Sequence, residues 1–119
     1  MTQQQSTLDT LRAYHQNWTT GKIDEALEYV ADDIVCKAPG GDLVGKDQYR
    51  AILTQFQSTM TGVTDVAFYA NDHEAAAFYI PATTATSTST VAEHFTFRDG
   101  KIAENLLTFD QLAFMPPKE

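Results

Sequence analysis

Between Val91 and Asp110 the chain reads VAEHFTFRDGKIAENLLTFD, two strand-like runs that meet at Asp99-Gly100. Asp-Gly supplies the positive-φ residues of a tight hairpin turn, and the flanking runs have strand composition and period. Successive strand side chains point to opposite faces. Val91, Glu93, Phe95 and Phe97 therefore share one face of the first run, and Ala92, His94, Thr96 and Arg98 the other. Glu93 is a carboxylate set into an apolar wall. In the second run Ala103, Asn105, Leu107 and Phe109 form one set, and Ile102, Glu104, Leu106 and Thr108 the other. Neither set is wholly polar, so both faces are expected to meet protein: the chain's own helices on one side and a second copy, in a homodimer through the sheet, on the other.

The upstream sequence supplies the cover for that wall. Ser6 or Thr7 is the expected cap of a first helix with Asp9 in its opening turn, and Leu8, Leu11, Tyr14 and Trp18 recur at helical spacing until Gly21. A second helix is expected from Ile23, through Ala26, Leu27 and Val30, up to Asp32-Asp33, followed by a strand over 34–38. Pro39-Gly40-Gly41-Asp42 reads as a loop. A third helix is predicted over 46–60, with the apolar stripe Tyr49, Ile52, Leu53, Phe56 and Met60. Strands over 63–70 and 73–80 joined at Asn71-Asp72 follow, then a Thr- and Ser-rich loop over 81–90 at a cavity mouth, and a frayed tail from Met115. The order predicts an α+β domain: a cone-shaped α+β roll of three N-terminal helices on a curved, mainly antiparallel sheet with an internal cavity.

At 119 residues the chain fits one domain, 1–119. Sixteen acidic against 8 basic residues give a formal net charge of −8. That balance argues against nucleic acid and against anionic membranes, both of which need basic surface. Cys36 is the only cysteine, so no internal disulfide forms, and with no signal-peptide pattern at Met1–Thr7 a reducing, cytoplasmic setting is expected. The expectation for Cys36 is a packed thiol. His15 and His73 are expected in solvent and His94 on the outer face. The three histidines have no metal-binding spacing, so no metal and no cofactor is expected. Gly40-Gly41 lacks the spacing and lysine of a phosphate-binding loop, and no nucleophile elbow occurs.

Tyr14 with Gly21, Ala31-Asp32-Asp33 before a strand and Pro39, Gly45 before the third helix, and HFTFRDGKI from His94 to Ile102 carry a family resemblance. Over nearly its whole length the chain resembles the nuclear transport factor 2-like superfamily, including ketosteroid isomerases and SnoaL-like polyketide cyclases. That fold hosts isomerases, cyclases, dehydratases, hydrolases and binding modules. The resemblance implies that Tyr14 stands where the isomerases have a helix tyrosine donating to a developing enolate oxygen. Glu93 stands where they have a carboxylic acid sharing that task. Their proton-shuttling carboxylate directly precedes the proline, and here that residue is Ala38.

The SnoaL-like cyclases resemble the chain around the last strand, where a carboxylate near the strand end is acid and base; Asp110 is the matching residue. Strict alternation from Phe109 turns Asp110 away from the cavity, so the role requires a bulge or the strand end to re-aim it. Asp42 is a candidate substitute base from the neighbouring loop. Trp18, Phe56, Tyr79, Phe95 and Phe109 are candidate ligand contacts, as are Asn105 and Leu107 on the last strand. Two readings stand side by side. One is a cofactor-independent acid–base enzyme, an isomerase, cyclase or dehydratase, in which Tyr14 and Glu93 polarise an apolar carbonyl or polyketide-like metabolite. The other is a non-catalytic ligand-binding or dimerisation module.

Overall fold

The structure is a computed structural model, and it describes residues 2–115. The elements run α1 (Gln3–Thr19), α2 (Ile23–Leu27), β1 (Val30–Ala38), β2 (Gly41–Val44), α3 (Lys46–Gln57), β3 (Met60–Ala70), β4 (Glu74–Thr83), β5 (Val91–Arg98) and β6 (Lys101–Thr108), then a 3-10 turn, Gln111–Phe114. The six strands form one sheet in the order β2-β1-β6-β5-β4-β3. All neighbours are antiparallel except β1 and β6, which run parallel. Three helices pack on this curved mixed sheet, which does not close into a barrel. The result is the expected α+β cone.

The β5–β6 hairpin organises the sheet as its sequence predicts. Asp99 and Gly100 have φ of 54° and 78°, the two positive values of a type I′ turn. Val91, Glu93, Phe95 and Phe97 are buried beneath the helices. The register carries one irregularity: Thr96 faces Glu104 but Phe97 faces Ile102, so Ala103 is an extra residue. This bulge puts Ile102, expected on the outer set, into the core beside Ala103.

Several boundaries differ from the sequence reading, each for a local reason. Helix α1 starts at Gln3 because Thr2 caps it, its hydroxyl accepting from the Gln5 N–H at 3.1 Å. Thr7 lies inside the helix and donates to the Gln3 and Asp72 carbonyls. Helix α2 has only five residues, and Val30 opens β1 opposite Ile102 instead of closing a helical stripe. Asp32 and Asp33 fall in an irregular part of β1 and meet Lys46 and Arg98 at the surface. Residues 39–42 make a hairpin instead of an open loop, since Gly41–Val44 pairs with β1.

Helix α3 ends at Gln57, and Met60 belongs to β3. Pro81 is tolerated in β4 because it lies past the last β5 partner, Val91 opposite Tyr79, so no β5 carbonyl awaits its missing N–H. Of the tail expected to fray from Met115, residues 116–119 lie outside the described residues. No helix among the described residues is long and apolar enough to cross a membrane.

The core lies between the helices and the concave sheet face. Leu11, Tyr14 and Trp18 from α1 and Tyr49 and Leu53 from α3 pack on Ile34, Tyr79, Phe95 and Ile102. Fully burying a large apolar side chain contributes about 1.5–3 kcal/mol, so this layer is the main support of the cone.

Candidate functional site

Beneath α3, where the helices diverge from the sheet, a cavity of ≈ 380 Å³ remains. Its floor is set by Cys36, Tyr49, Tyr79, Glu93 and Asn105, all buried. Phe56, Phe109 and Phe114 form its apolar flank, and the exposed Gln55, Gln111 and Met115 stand at its mouth. A second hollow, ≈ 410 Å³, lies where α1 starts beside the Asp99-Gly100 turn, but its ionisable side chains are all exposed. Only the first holds a buried acid.

Glu93 is 5 % exposed, placed on the cavity floor by the alternation of β5. Its Oε2 accepts from the Tyr79 hydroxyl at 2.9 Å. Burial pushes its carboxyl up to about 7, while hydrogen bonds from Tyr79 and Asn105 oppose the rise. An acid that titrates there is populated in both forms near neutrality, the condition for giving and taking a proton. It is the only carboxyl group among the described lining residues.

Tyr14 is fully buried but does not line the cavity. Its hydroxyl lies 2.6 Å from that of Tyr49, and Tyr49 donates to Asn105 Oδ1 at 3.1 Å. Since the single proton of Tyr49 goes to Asn105, Tyr14 is the donor of the pair. Burial first, and then neighbouring charge, pushes both phenols well above their usual range, so they act as neutral donors. The cavity-facing phenols are Tyr49 and Tyr79. Tyr49 was read from the sequence only as a member of the α3 stripe; its i, i+4 spacing with Leu53 shows a buried face but not where its hydroxyl ends.

The structure brings Trp18, Phe56, Tyr79, Glu93, Asn105, Leu107 and Phe109 to the cavity. Phe95 lies behind them, edge-on to Tyr14 at 5.8 Å. Asp42 is exposed on β2 and outside the lining. Asp110 is exposed too, where it caps the 3-10 turn by accepting from the Leu112 N–H at 3.1 Å. Residues 81–90 do not reach the mouth, which the 3-10 turn occupies instead. Among the described residues, then, no second carboxylate lines the cavity beside Glu93.

His15, expected in solvent, is 2 % exposed. Its Nε2 meets Asp65 at 2.8 Å, and desolvation lowers its proton affinity despite that partner. It is buried because Phe68 and Tyr79 close over the same side of α1, at 5.1 and 4.7 Å between rings. Trp18 Nε1 and His15 Nδ1 have no hydrogen-bond partner among the described residues. His94 lies exposed on the outer sheet face beside Glu74. Cys36 is buried and free, donates to Asn105 Oδ1, and has its thiol pushed up to about 12, chiefly by burial. Among the described residues no group of three or more His, Cys, Asp or Glu is placed to hold a metal ion.

The comparisons agree with this architecture. The model of the SnoaL-like domain matches residues 11–105. A crystal structure from Kribbella flavida is similar at 34 % identity, with 90 % of this chain and 88 % of that chain covered and a TM-score of 0.86. A Burkholderia xenovorans protein described as NTF-2 like and of unknown function shares 18 % identity over 95 % of this chain and 88 % of its own, with a TM-score of 0.81. A candidate polyketide cyclase of Xanthomonas campestris shares 17 % identity over 93 % and 95 %, with a TM-score of 0.80. No curated protein sequence matches the chain. With its cone, the buried acid Glu93 in its cavity and a family match spanning most of its length, the chain belongs to the SnoaL-like domain family, on a nuclear transport factor 2-like fold.

Proposed function

We propose that this SnoaL-like domain binds a compact, largely apolar metabolite bearing a carbonyl group and moves a proton on it without a cofactor. The observation that carries this reading is Glu93: a buried carboxyl, hydrogen-bonded by Tyr79, at the floor of an otherwise apolar cavity. In its neutral form the acid donates to the ligand oxygen, and in its ionised form it accepts a proton from the carbon next to the carbonyl. A single carboxyl alternating between these forms serves an isomerisation or a cyclisation. A volume of ≈ 380 Å³ suits a ligand of two or three small rings. No lysine, arginine or histidine is among the described lining residues, which disfavours anionic ligands.

A second reading, a binding module without turnover, is favoured by one observation: the position before Pro39 is Ala38, and among the described residues no other carboxylate joins Glu93 in the cavity. One experiment separates the two. The protein is incubated with 2-tetralone in D2O, and exchange of the α-protons is followed by NMR alongside the melting temperature. Accelerated exchange that Glu93→Gln abolishes supports acid–base function. A raised melting temperature without exchange supports the binding module. Neither effect across a panel of bicyclic ketones would sink the ligand class.

The assembly we propose is a homodimer through the outer sheet face in the cytoplasm. Its support is the exposed apolar surface of Val66, Tyr69 and Leu106. A monomer mass in sedimentation at micromolar concentration would remove this part of the proposal.

A further inference from the structure

Two hydrogen-bond chains approach the cavity floor, and one side chain joins them. From the helices, Tyr14 donates to Tyr49 at 2.6 Å and Tyr49 to Asn105 Oδ1 at 3.1 Å. From β1, the Cys36 thiol donates to the same oxygen at 3.4 Å. The His94 carbonyl can only accept, so the amide end facing it is nitrogen and the end facing Tyr49 and Cys36 is oxygen. The Nδ2 end thus faces β5, where it donates one N–H to the His94 carbonyl at 3.3 Å and keeps a second on the cavity floor that it shares with Glu93. The register makes the two side chains diagonal neighbours on one face, since Asn105 pairs with Phe95 while Glu93 pairs with Leu107. Asn105 is only 2 % exposed, so solvent offers its polar atoms no substitute partners.

We infer that Asn105 is a positioning residue for Glu93: held on its oxygen by Tyr49 and Cys36, its amide turns its free N–H toward the carboxyl at the cavity floor and fixes the acid there. The inference rests on the acid–base reading above only for its catalytic consequence. Around Glu93, Tyr79 from β4 donates to the carboxyl, whereas Tyr14 from α1, Tyr49 from α3 and Cys36 from β1 are neutral groups that feel its charge. No cation is among the described residues lining the cavity. Donation from Tyr79 and Asn105 is thus what favours the carboxylate over the buried neutral acid.

The ligand-free protein tests this directly. Glutamate carboxyl carbons are labelled, Glu93 is assigned by loss of its signal in Glu93→Gln, and its titration is followed by NMR. In the unsubstituted protein the Asn105 side-chain amide resonances should shift with the same midpoint as the Glu93 carboxyl carbon. In Asn105→Leu that midpoint should rise by about one pH unit, a tenfold gain in proton affinity, and in Asn105→Ser by less. An Asn105 amide signal indifferent to pH, or a midpoint unmoved in whichever variant folds, would overturn the inference. The pH at half-maximal exchange of 2-tetralone should rise in parallel. Absence of exchange in every form would defeat the acid–base reading while leaving the titration result intact.

Discussion

The Tyr79 hydroxyl donates to Glu93 Oε2 at 2.9 Å, tying β4 to β5 at the floor of the cavity. The two residues are diagonal neighbours, because Tyr79 pairs with Val91 and Ala77 with Glu93. A bond to an ionised acceptor is worth more than one to a neutral acceptor. Tyr79→Phe should therefore destabilise the protein by about 1 kcal/mol at pH 5, where Glu93 is mostly protonated, and by about 2 kcal/mol at pH 8. Urea unfolding at the two pH values measures both. Equal losses would show that the bond does not sense the charge on Glu93.

Stability should fall as pH rises from 5 to 8. The folded-state carboxyl of Glu93 titrates at about 7 against an ordinary value of 4.5, so folded protein holds a proton that unfolded chain has released. Stability from this source is complete below the unfolded value and is lost as pH climbs through about 7, a change on the order of 3 kcal/mol. His15 works in the opposite sense. Its proton affinity is lowered by desolvation, so its contribution is present above the ordinary imidazole range and is lost as pH falls through its folded-state value. Glu93→Gln should abolish the decline and leave only the rise due to His15. Thermal melts of both proteins across this range provide the check.

Tyr14 sits one hydrogen bond behind the cavity surface. Tyr14→Phe should cost about 1 kcal/mol of stability through the donor lost to Tyr49. Its effect on 2-tetralone exchange should stay within about threefold, whereas Glu93→Gln removes the acid–base group itself and should cost about a hundredfold or more. Equal losses from the two variants would mean that Tyr14 reaches the ligand.

Phe114 stands against Phe56 and Phe109, with ring centroids at 5.4 and 5.5 Å, on the 3-10 turn that borders the mouth. Phe114→Ala removes the ring that bridges that turn to α3, and should speed both entry and release of a bicyclic ketone by severalfold. Trp18 is the only tryptophan and lines the cavity, so its fluorescence in stopped flow reports both rates. Unchanged rates would place the entry route elsewhere.

Much of the cone was readable in the chain. The Asp99-Gly100 turn needs two positive φ values that few other pairs supply, and the alternation before it has a period that a helix cannot satisfy. The burial of Glu93 followed from that same alternation. Other features escaped because they depend on partners far along the chain. Val30 fits a helical stripe by spacing, yet becomes a strand residue because β6 offers it a ladder. Short β2 carries no pattern of its own over four residues, two of them Gly41 and Asp42. His15 and Tyr14 are neighbours on α1, and nothing local shows that Phe68 and Tyr79 will seal the imidazole from water.

By itself, then, the sequence determined which residues could share a face, where the chain must turn, and that one acid would stand among aromatics. Periodicity and turn chemistry are local properties, carried by a few consecutive residues. Only the tertiary structure decided which hydroxyl meets which acceptor: Tyr14 donates to Tyr49, Tyr49 to Asn105, and Asp110 turns outward to cap a 3-10 turn. Hydrogen bonds of this kind join residues up to 69 positions apart and require placement within a few tenths of an ångström, which only the packing of the helices on the curved sheet supplies.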